Sequence, residues 1–290
     1  MLFPSRRLHA AQRPIGLQLY SVRQSLEQDY DGTLRQVAAI GYREVEAAGF
    51  YRHAAADVKQ KMSDAGLQCI SAHYSLSDLL KATDATIAYA KTLGLAYVVC
   101  SAPWSGDPAH LNSYPGGAWE GILHAMTLDD WKWNADQFNK MGEKMKAAGI
   151  RFGYHNHTPE FRDLGGGQTG YAILLKETDP ELVTFELDCG WAIAGGYDAA
   201  KLLRDHGDRI SMLHLKDLKP APTSTEPDKR ESTEIGNGVV DFKPIFAAAG
   251  GVKHAFVEQE DFDRPVFDSL KIDFVNSNRL EAGQTVGRPA

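Results

Sequence analysis

Short β-rich runs and amphipathic segments alternate along almost the whole chain. Eight such runs are separated by stretches whose apolar residues recur at helical spacing. Regular alternation of strands and helices is typical of a parallel sheet with helices packed against it. The strand candidates are IGLQLY at 15–20, REVEA at 43–47, LQCISAH at 67–73, AYVVC at 96–100, IRFGYH at 150–155, LVTFEL at 182–187, RISMLH at 209–214 and KHAFVE at 253–258.

The segments between the strands carry helix start and stop signals. Gly41, Gly66 and Gly94 each follow such a segment, at the position where helices commonly end. The 128–149 segment begins with two aspartates and ends with lysines, the order that the helix dipole favours. The predicted helices are 30–40, 55–66, 77–94, 128–149, 171–178, 198–207, 242–250 and 265–279.

Eight strand–helix units predict a single (β/α)8 barrel domain, a TIM barrel, over residues 15–279, because that fold takes about 250 residues. A doubly wound open sheet is the alternative. It usually carries a glycine-rich fingerprint after its first strand, and IGLQLYSVR contains none. We expect residues 1–14 to form an N-terminal extension and residues 280–290 a flexible C-terminal tail.

Two long segments interrupt the regular spacing. Residues 101–126 contain Trp104, Tyr114 and Trp119, and residues 217–240 are dominated by Pro, Thr, Glu, Asp and Lys. Both follow strands, so both are expected at the C-terminal rim of the barrel, where substrates bind. The polar 217–240 segment is predicted to be a mobile lid that closes over the substrate.

Charge and composition exclude several classes of protein. The chain has 31 Lys and Arg against 38 Asp and Glu, and a net charge of −7 is unfavourable for binding a phosphate backbone. No apolar run reaches the length of about 18 residues that a membrane-spanning helix needs. Because the first fourteen residues contain no export signal, we predict a cytoplasmic protein, or a periplasmic one if a signal is missing upstream. Cys69, Cys100 and Cys189 lie in or beside apolar runs and are predicted to be buried free thiols.

The last four predicted strands end in ionisable residues, although barrel strands are otherwise almost continuously apolar. Side chains alternate along a strand, so each strand end places two polar residues on one face. Either each residue is solvated separately at the rim, or the faces point inward and form a ring whose charge a divalent cation would balance. The second arrangement is favoured because four consecutive strands share the pattern. The pairs are His155 with His157, Glu186 with Asp188, His214 with Lys216, and Glu258 with Glu260.

Several of these residues are candidates for contact with a substrate. Lys216 would polarise a substrate oxygen or hold an enolate, unless its ammonium group extends to water. Glu46 and His73 end the second and third strands, where each either contacts a substrate in the predicted barrel mouth or is solvated at the rim. Trp104, Trp119 and Trp191 would stack on a sugar ring, although a buried Trp more often serves packing. The predicted substrate-binding residues are Glu46, His73, Trp104, Glu186, Trp191 and Glu260.

Six segments, in this order, resemble the sugar phosphate isomerase/epimerase family, the xylose isomerase-like TIM barrels: GLQLYSVR, YHNHTPEF, FELDCGWA, LHLKDL, GNGVVDF and FVEQEDF. They cover essentially the whole barrel. The resemblance implies one divalent cation, with manganese first and Co, Fe, Zn or Mg as alternatives. It also implies a small-molecule sugar substrate and leaves homo-oligomer formation open. The charge and the lack of a long apolar run predict neither a nucleic-acid nor a membrane partner. Transferred by motif, the metal ligands are His155, Asp188, His214 and Glu258.

Two positions depart from the ketose epimerases of this superfamily. Those enzymes have a glutamate where this chain has His155, and a histidine where it has Trp191. The YHNH and ELDCGW forms instead resemble a subgroup often described only as sugar isomerases. Proteins similar to that subgroup act on 3-keto glycosides as epimerases or lyases.

We therefore predict a metal-dependent isomerase or epimerase that removes a proton next to the carbonyl of a keto sugar or keto glycoside. The predicted catalytic residues are Glu258 and His155 as the acid/base pair, His157 as a further proton donor, and Lys216. One alternative is a lyase that eliminates a β-substituent from a 3-keto glycoside. The others are a sugar-binding barrel without activity and, against the acidic charge, a phosphodiesterase similar to the apurinic-site endonucleases.

Overall fold

The computed structural model describes residues 13–220 and 227–286, which form a closed barrel of eight parallel strands surrounded by helices. Each strand pairs with its sequence neighbours, and the first strand also pairs with the last. The predicted single (β/α)8 TIM barrel is therefore confirmed. The barrel strands are β1 (Ile15–Gln18), β2 (Glu44–Ala47), β3 (Gln68–Ser75), β4 (Tyr97–Ala102), β5 (Arg151–His155), β6 (Val183–Asp188), β7 (Ile210–Leu215) and β8 (His254–Val257).

All eight predicted helices are present, and their ends agree with the predictions to within two residues. Thr127 and Asp130 form a reciprocal capping box at the start of the longest helix. Gly66 and Gly94 adopt the left-handed conformation at the helix ends they were predicted to mark. The α-helices are α1 (Arg23–Gln28), α2 (Tyr30–Ile40), α3 (Ala55–Ala65), α4 (Leu76–Leu93), α5 (Ala109–Asn112), α6 (Ala118–Ala125), α7 (Leu128–Ala147), α8 (Gly170–Glu177), α9 (Cys189–Ala194), α10 (Ala199–His206), α11 (Phe242–Ala248) and α12 (Val266–Glu281).

Four short helices were not predicted. Helices α5 and α6 lie inside the 101–126 segment, α9 directly follows β6, and α1 follows a 3₁₀ turn after β1. Helix α5 has four residues and follows Pro108, and α6 has eight residues and follows Gly117. Both are too short for a helical period to be recognised in the sequence. They build the rim of the barrel above the strand ends.

The 217–240 segment is partly a hydrogen-bonded element of the rim. Asp217–Leu218 pairs antiparallel with Ser232–Thr233. The buried carboxylate of Asp217 accepts hydrogen bonds from the backbone N–H groups of Leu218, Gly236, Gly238 and Val240. Residues 221–226 of the predicted lid lie outside the described residues, and the mobility of the lid stays a prediction.

The two ends of the domain meet on one side of the barrel. Arg13 donates hydrogen bonds to the carbonyls of Val252 and Ala249, and its backbone N–H donates to Glu281. Helix α12 continues to Glu281, two residues beyond the predicted end of the barrel domain. Residues 1–12 of the predicted extension and 287–290 of the predicted tail lie outside the described residues. No helix in the described part of the chain is long and apolar enough to cross a membrane.

An apolar plug fills the barrel interior below the strand ends. Its five buried side chains form a cluster separate from the larger core between strands and helices. Gly16 provides space for the plug, since a Cβ at that position would lie 2.5 Å from the ring of Phe256. The three cysteines are buried and free, as predicted. The plug residues are Ile70, Tyr97, Val99, Met212 and Phe256.

Candidate functional site

A cavity of about 870 Å³ opens at the C-terminal end of the barrel. Six of the predicted site residues line it, together with Trp119 and residues of the 227–232 segment. This is the end at which the loops after the strands converge, as the fold requires of a barrel active site. The six residues are His73, His155, His157, Trp191, Glu258 and Glu260.

The four predicted metal ligands lie together at the base of this cavity. One nitrogen or oxygen atom from each of His155, Asp188, His214 and Glu258 lies within 4.8 Å of the others. All four side chains are buried, and Asp188 is the register partner of His214 on the neighbouring strand. Two imidazoles and two carboxylates are a donor set that suits a divalent transition metal.

The carboxylate of Asp188 shows why a cation fits this position. Its Oδ1 caps helix α9 by accepting a hydrogen bond from the N–H of Trp191 at 2.7 Å. Its Oδ2 is buried and has no hydrogen-bond partner among the described residues. Burial raises the pKa of Asp188 to about 6, against the opposing charges of Lys216 and His214. A bound cation would remove this cost by coordinating the free oxygen.

Lys216 lies beside the metal candidates and not on the cavity wall. Its Nζ is 3.0 Å from Glu258 and 3.6 Å from Asp188, and it also contacts the carboxylate of Glu260. The ammonium group lies 4.4 Å from the ring centroid of Trp191, which covers it. Burial lowers the pKa of Lys216, but the neighbouring carboxylates outweigh it and raise that pKa above its usual range. The ammonium therefore stays charged without reaching water.

The ammonium group of Lys216 has a large effect on the pKa of Glu258. Burial alone would raise its pKa, yet the charge of Lys216, followed by that of His214, holds it well below the usual range. Glu258 also lines the cavity, so it is an ionised carboxylate within reach of a bound molecule.

His157 lies between two aromatic side chains on the cavity wall. Its ring centroid is 5.3 Å from that of Trp119 and 6.3 Å from that of Trp191. Burial, together with the charge of Lys216, lowers the pKa of His157 to about 3, so the imidazole is neutral at physiological pH. Its Nδ1 is buried with no hydrogen-bond partner in the part of the chain that the structure describes. A neutral imidazole with a free nitrogen can take up a proton.

Three predicted substrate contacts lie away from the cavity wall. Glu46 and Glu186 are fully buried one layer below the metal candidates, where both contact His73 and His214. Trp104 packs against the core, and its backbone exchanges two hydrogen bonds with Asn134. None of the three lines the cavity, and their contact with a substrate stays a prediction.

The sequence analysis missed residues that hold the candidates in place. Glu160 is fully buried, and it accepts hydrogen bonds from the hydroxyl of Tyr154 and from the N–H of His157 at 3.0 Å. Asn156 exchanges hydrogen bonds with the backbone of Asp188, at 3.0 and 3.3 Å. Both lie inside YHNHTPEF, so their position directly after a strand end was the available signal.

Gln18 was also missed. Its amide donates to Oε1 of Glu46 at 2.7 Å, and the hydroxyl of Ser71 donates to the other oxygen of Glu46. A lone amide inside the apolar run IGLQLY could have identified Gln18 as a buried partner of another polar group.

Known proteins resemble this chain in sequence and in structure. The family described as Xylose isomerase-like TIM barrel matches residues 34–264. An inosose dehydratase of Geobacillus kaustophilus (strain HTA426) is 26% identical over 240 residues, covering 75% of this chain and 74% of that protein. The inosose dehydratase of Geobacillus thermodenitrificans (strain NG80-2) is 32% identical over 152 residues, but the match spans only 47% of this chain and 49% of that protein.

Among solved structures, a sugar phosphate isomerase/epimerase from Parabacteroides distasonis ATCC 8503 superposes with a TM-score of 0.71 and 28% identity. The superposition covers 95% of this chain and 96% of that chain. These matches confirm the predicted resemblance, and the chain belongs to the xylose isomerase-like TIM barrel family.

Proposed function

We propose that this protein is a divalent-metal-dependent enzyme that removes the proton next to the carbonyl of a keto sugar or keto cyclitol and then eliminates a β-substituent. The observation that carries the proposal is the asymmetry of the site. A neutral imidazole, His157, and an ionised carboxylate, Glu258, both line the cavity beside one group of metal donors.

His155, Asp188, His214 and Glu258 would hold the cation. When bound, it would act as a Lewis acid on the substrate carbonyl and make the adjacent C–H more acidic. Manganese is the first expectation for this nitrogen and oxygen donor set, with Co, Fe, Zn or Mg as alternatives.

The protein's own groups would carry the proton transfers. Glu258 or His157 takes the proton from the carbon, and the C–H electron pair moves into an enolate. The same electrons then form a carbon–carbon double bond while the β-substituent departs with its C–O bonding pair. The group that took the proton from the carbon, now in its acid form, gives this proton to the leaving oxygen and returns to its starting state. Lys216 keeps Glu258 ionised before the proton transfer and is therefore placed as a supporting charge.

Elimination is favoured over a symmetric epimerisation for a chemical reason. Epimerisation needs two comparable acid/base groups on opposite faces of the substrate carbon, whereas the cavity wall of this site offers one carboxylate of the metal group, Glu258, and one imidazole, His157. The two Geobacillus relatives named inosose dehydratase support the same outcome, since a dehydratase is a lyase that expels water. Isomerisation or epimerisation is the second candidate, supported by the Parabacteroides distasonis structure.

The test is to incubate the metal-loaded protein with an inosose, 3-keto glycosides and ketoses in deuterated water and to follow the products by NMR. We expect solvent deuterium next to the carbonyl and loss of the β-hydroxyl or β-alkoxyl group from an inosose or 3-keto glycoside. Exchange without elimination would instead identify an isomerase or epimerase. Sugar binding without exchange would identify a non-catalytic barrel, and a zinc cluster with cleavage of apurinic DNA would identify a phosphodiesterase.

A further inference from the structure

A layer of two carboxylates and one imidazole lies directly beneath the metal candidates. Nε2 of His73 is 2.8 Å from Oε1 of Glu46 and 2.8 Å from Oε2 of Glu186. Both carboxylates are completely buried, and neither lines the cavity. Two carboxylates that face neither solvent nor substrate need another role to compensate for their burial.

The two nitrogens of His214 face different groups. Nδ1 lies 3.1 Å from Oε2 of Glu258, on the side of the metal candidates. Nε2 lies 2.7 Å from Glu46 and 3.2 Å from Glu186. A carboxylate can only accept a hydrogen bond, so the Nε2 of His214, which faces Glu46 and Glu186, carries a proton, and a cation held with Glu258 would take the lone pair of Nδ1. His155 has the mirrored arrangement, because its Nδ1 lies 3.1 Å from Oε2 of Glu186, which leaves Nε2 as the ligand nitrogen.

We propose that Glu46 and Glu186 are positioning residues that set the tautomers of His214 and His155, so that both imidazoles present a lone pair to the same metal ion, with His73 joining the two carboxylates. This inference rests on the metal site of the proposed function. Carboxylates that accept a hydrogen bond from a metal-ligating imidazole raise its basicity and fix its ring, and removing them typically weakens metal binding 10–100-fold.

The same atoms do not make a second metal site. His73, His155, Glu186 and His214 also bring ligand atoms within 4.8 Å of one another. An ion there would need the Nε2 of His214 while the first ion uses Nδ1, which requires a fully deprotonated imidazole. In addition, Oε2 of Glu186 already lies 2.8–3.2 Å from nitrogens of His73, His155 and His214. An oxygen with three nitrogen neighbours has no lone pair left for a cation.

The experiment titrates the metal-free full-length protein with Mn²⁺ against a competing chelator, comparing Glu46→Gln and Glu186→Gln with wild type. Glu44→Gln is the matched control, because Glu44 lies on the same strand as Glu46 and pairs with His254, 2.8 Å away, outside this site. We expect one ion per chain throughout, a Kd weakened 10–100-fold in the first two variants, and a wild-type Kd in the control. Wild-type affinity in both site variants, or two ions per wild-type chain with one lost in Glu46→Gln, would overturn the inference.

A second measurement follows the protons of His214 directly. Nitrogen-detected histidine NMR of the protein loaded with diamagnetic Zn²⁺ should show a proton on Nε2 of His214 in wild type and a mixture of tautomers in Glu46→Gln. A proton on Nδ1 in the loaded wild type would also overturn the inference. If wild type binds no ion, the proposed function fails, while slow exchange of the Nε2–H of His214 in wild type, lost in Glu46→Gln, still tests the positioning role by itself.

Discussion

The side-chain ammonium of Lys216 lies 3.0 Å from Oε2 of Glu258, and this contact joins the loops after β7 and β8 at the base of the cavity. Lys216 is completely buried, and it also lies 3.6 Å from Oδ2 of Asp188. Two of the four metal candidates therefore share one ammonium group. Their combined negative charge is compensated by Lys216 as well as by any bound cation.

Replacing Lys216 with Met should destabilise the metal-free protein by about 3–5 kcal/mol, because it leaves buried carboxylates without their partner. Saturating Mn²⁺ should recover part of this loss, since a ligand that binds only the folded state stabilises it. Urea unfolding with and without metal measures both effects. Lys201→Met, which removes an exposed ion pair with Asp205, should cost less than about 1 kcal/mol. Equal losses in the free energy of unfolding of the two variants would contradict the role of Lys216 as the buried partner of these carboxylates.

Asp188→Asn and His214→Ala should each abolish stoichiometric metal binding. Asp188 provides a buried oxygen without a hydrogen-bond partner, and His214 provides a nitrogen close to the other three candidate ligands. Metal content after dialysis against a chelator is the measurement, and the surface variant Asp205→Asn is the control. Retention of a full equivalent of metal in both site variants would place the metal elsewhere.

His157→Gln and Glu258→Gln should separate proton transfer from metal binding. His157→Gln should retain the metal and lower the rate of proton exchange or elimination by about 10²–10⁴-fold, the usual contribution of an acid/base group. Glu258→Gln should weaken metal binding and lower the rate, because Glu258 is both ligand and acid/base group. Exchange is measured in deuterated water with the metal content of each sample. Wild-type exchange in a metal-loaded Glu258→Gln would leave His155 or His157 as the base.

The stability of the metal-free protein should depend on pH through His73. Burial alone would lower the pKa of His73, but Glu46 and Glu186 raise it to about 9. A raised folded-state pKa stabilises the fold fully below the unfolded value of about 6.5, and this contribution is lost as the pH rises through 9. At about 1.4 kcal/mol per pKa unit, the loss is about 3 kcal/mol.

Urea unfolding of the chelator-treated protein between pH 6 and 9.5 tests this dependence. His73→Gln should flatten the decline in the free energy of unfolding, whereas His254→Gln, at the other end of the barrel, should preserve it. A wild-type profile in His73→Gln would show that another group titrates.

Much of the fold followed from the sequence for local reasons. Glycines at helix ends and acidic residues at helix starts act on their own segment, so the eight predicted helices match the structure closely. Helices α5 and α6 escaped prediction because each spans only one or two turns, which is too short for a period to be read. The chain belongs to the xylose isomerase-like TIM barrel family, whereas its reaction class, the identity of its metal and its cellular compartment stay predictions.

The candidate site, like the fold, was predicted from the sequence only in part. Strand alternation predicted that the polar strand ends meet, because the carboxyl ends of parallel strands lie at one end of a barrel. The family resemblance then selected His155, Asp188, His214 and Glu258, whose ligand atoms do lie together. The neighbouring residues along the chain did not determine which member of each pair would face the metal candidates and which would take another position. Glu186 and Asp188 are two residues apart on one strand, yet one lies beneath the imidazoles and the other beside the cavity.

The sequence by itself determined the alternation of strands and helices and the residue types at the strand ends, because both depend on neighbours along the chain. Tertiary structure alone decided the depth of each polar side chain. The strand register shifts between Val45 and Glu46 and between Phe185 and Glu186. Such shifts arise from the pairing of adjacent strands in a closed, twisted barrel. They accompany the placement of Glu46 and Glu186 in a buried layer that supports the histidines, a position that no period in the sequence could reveal.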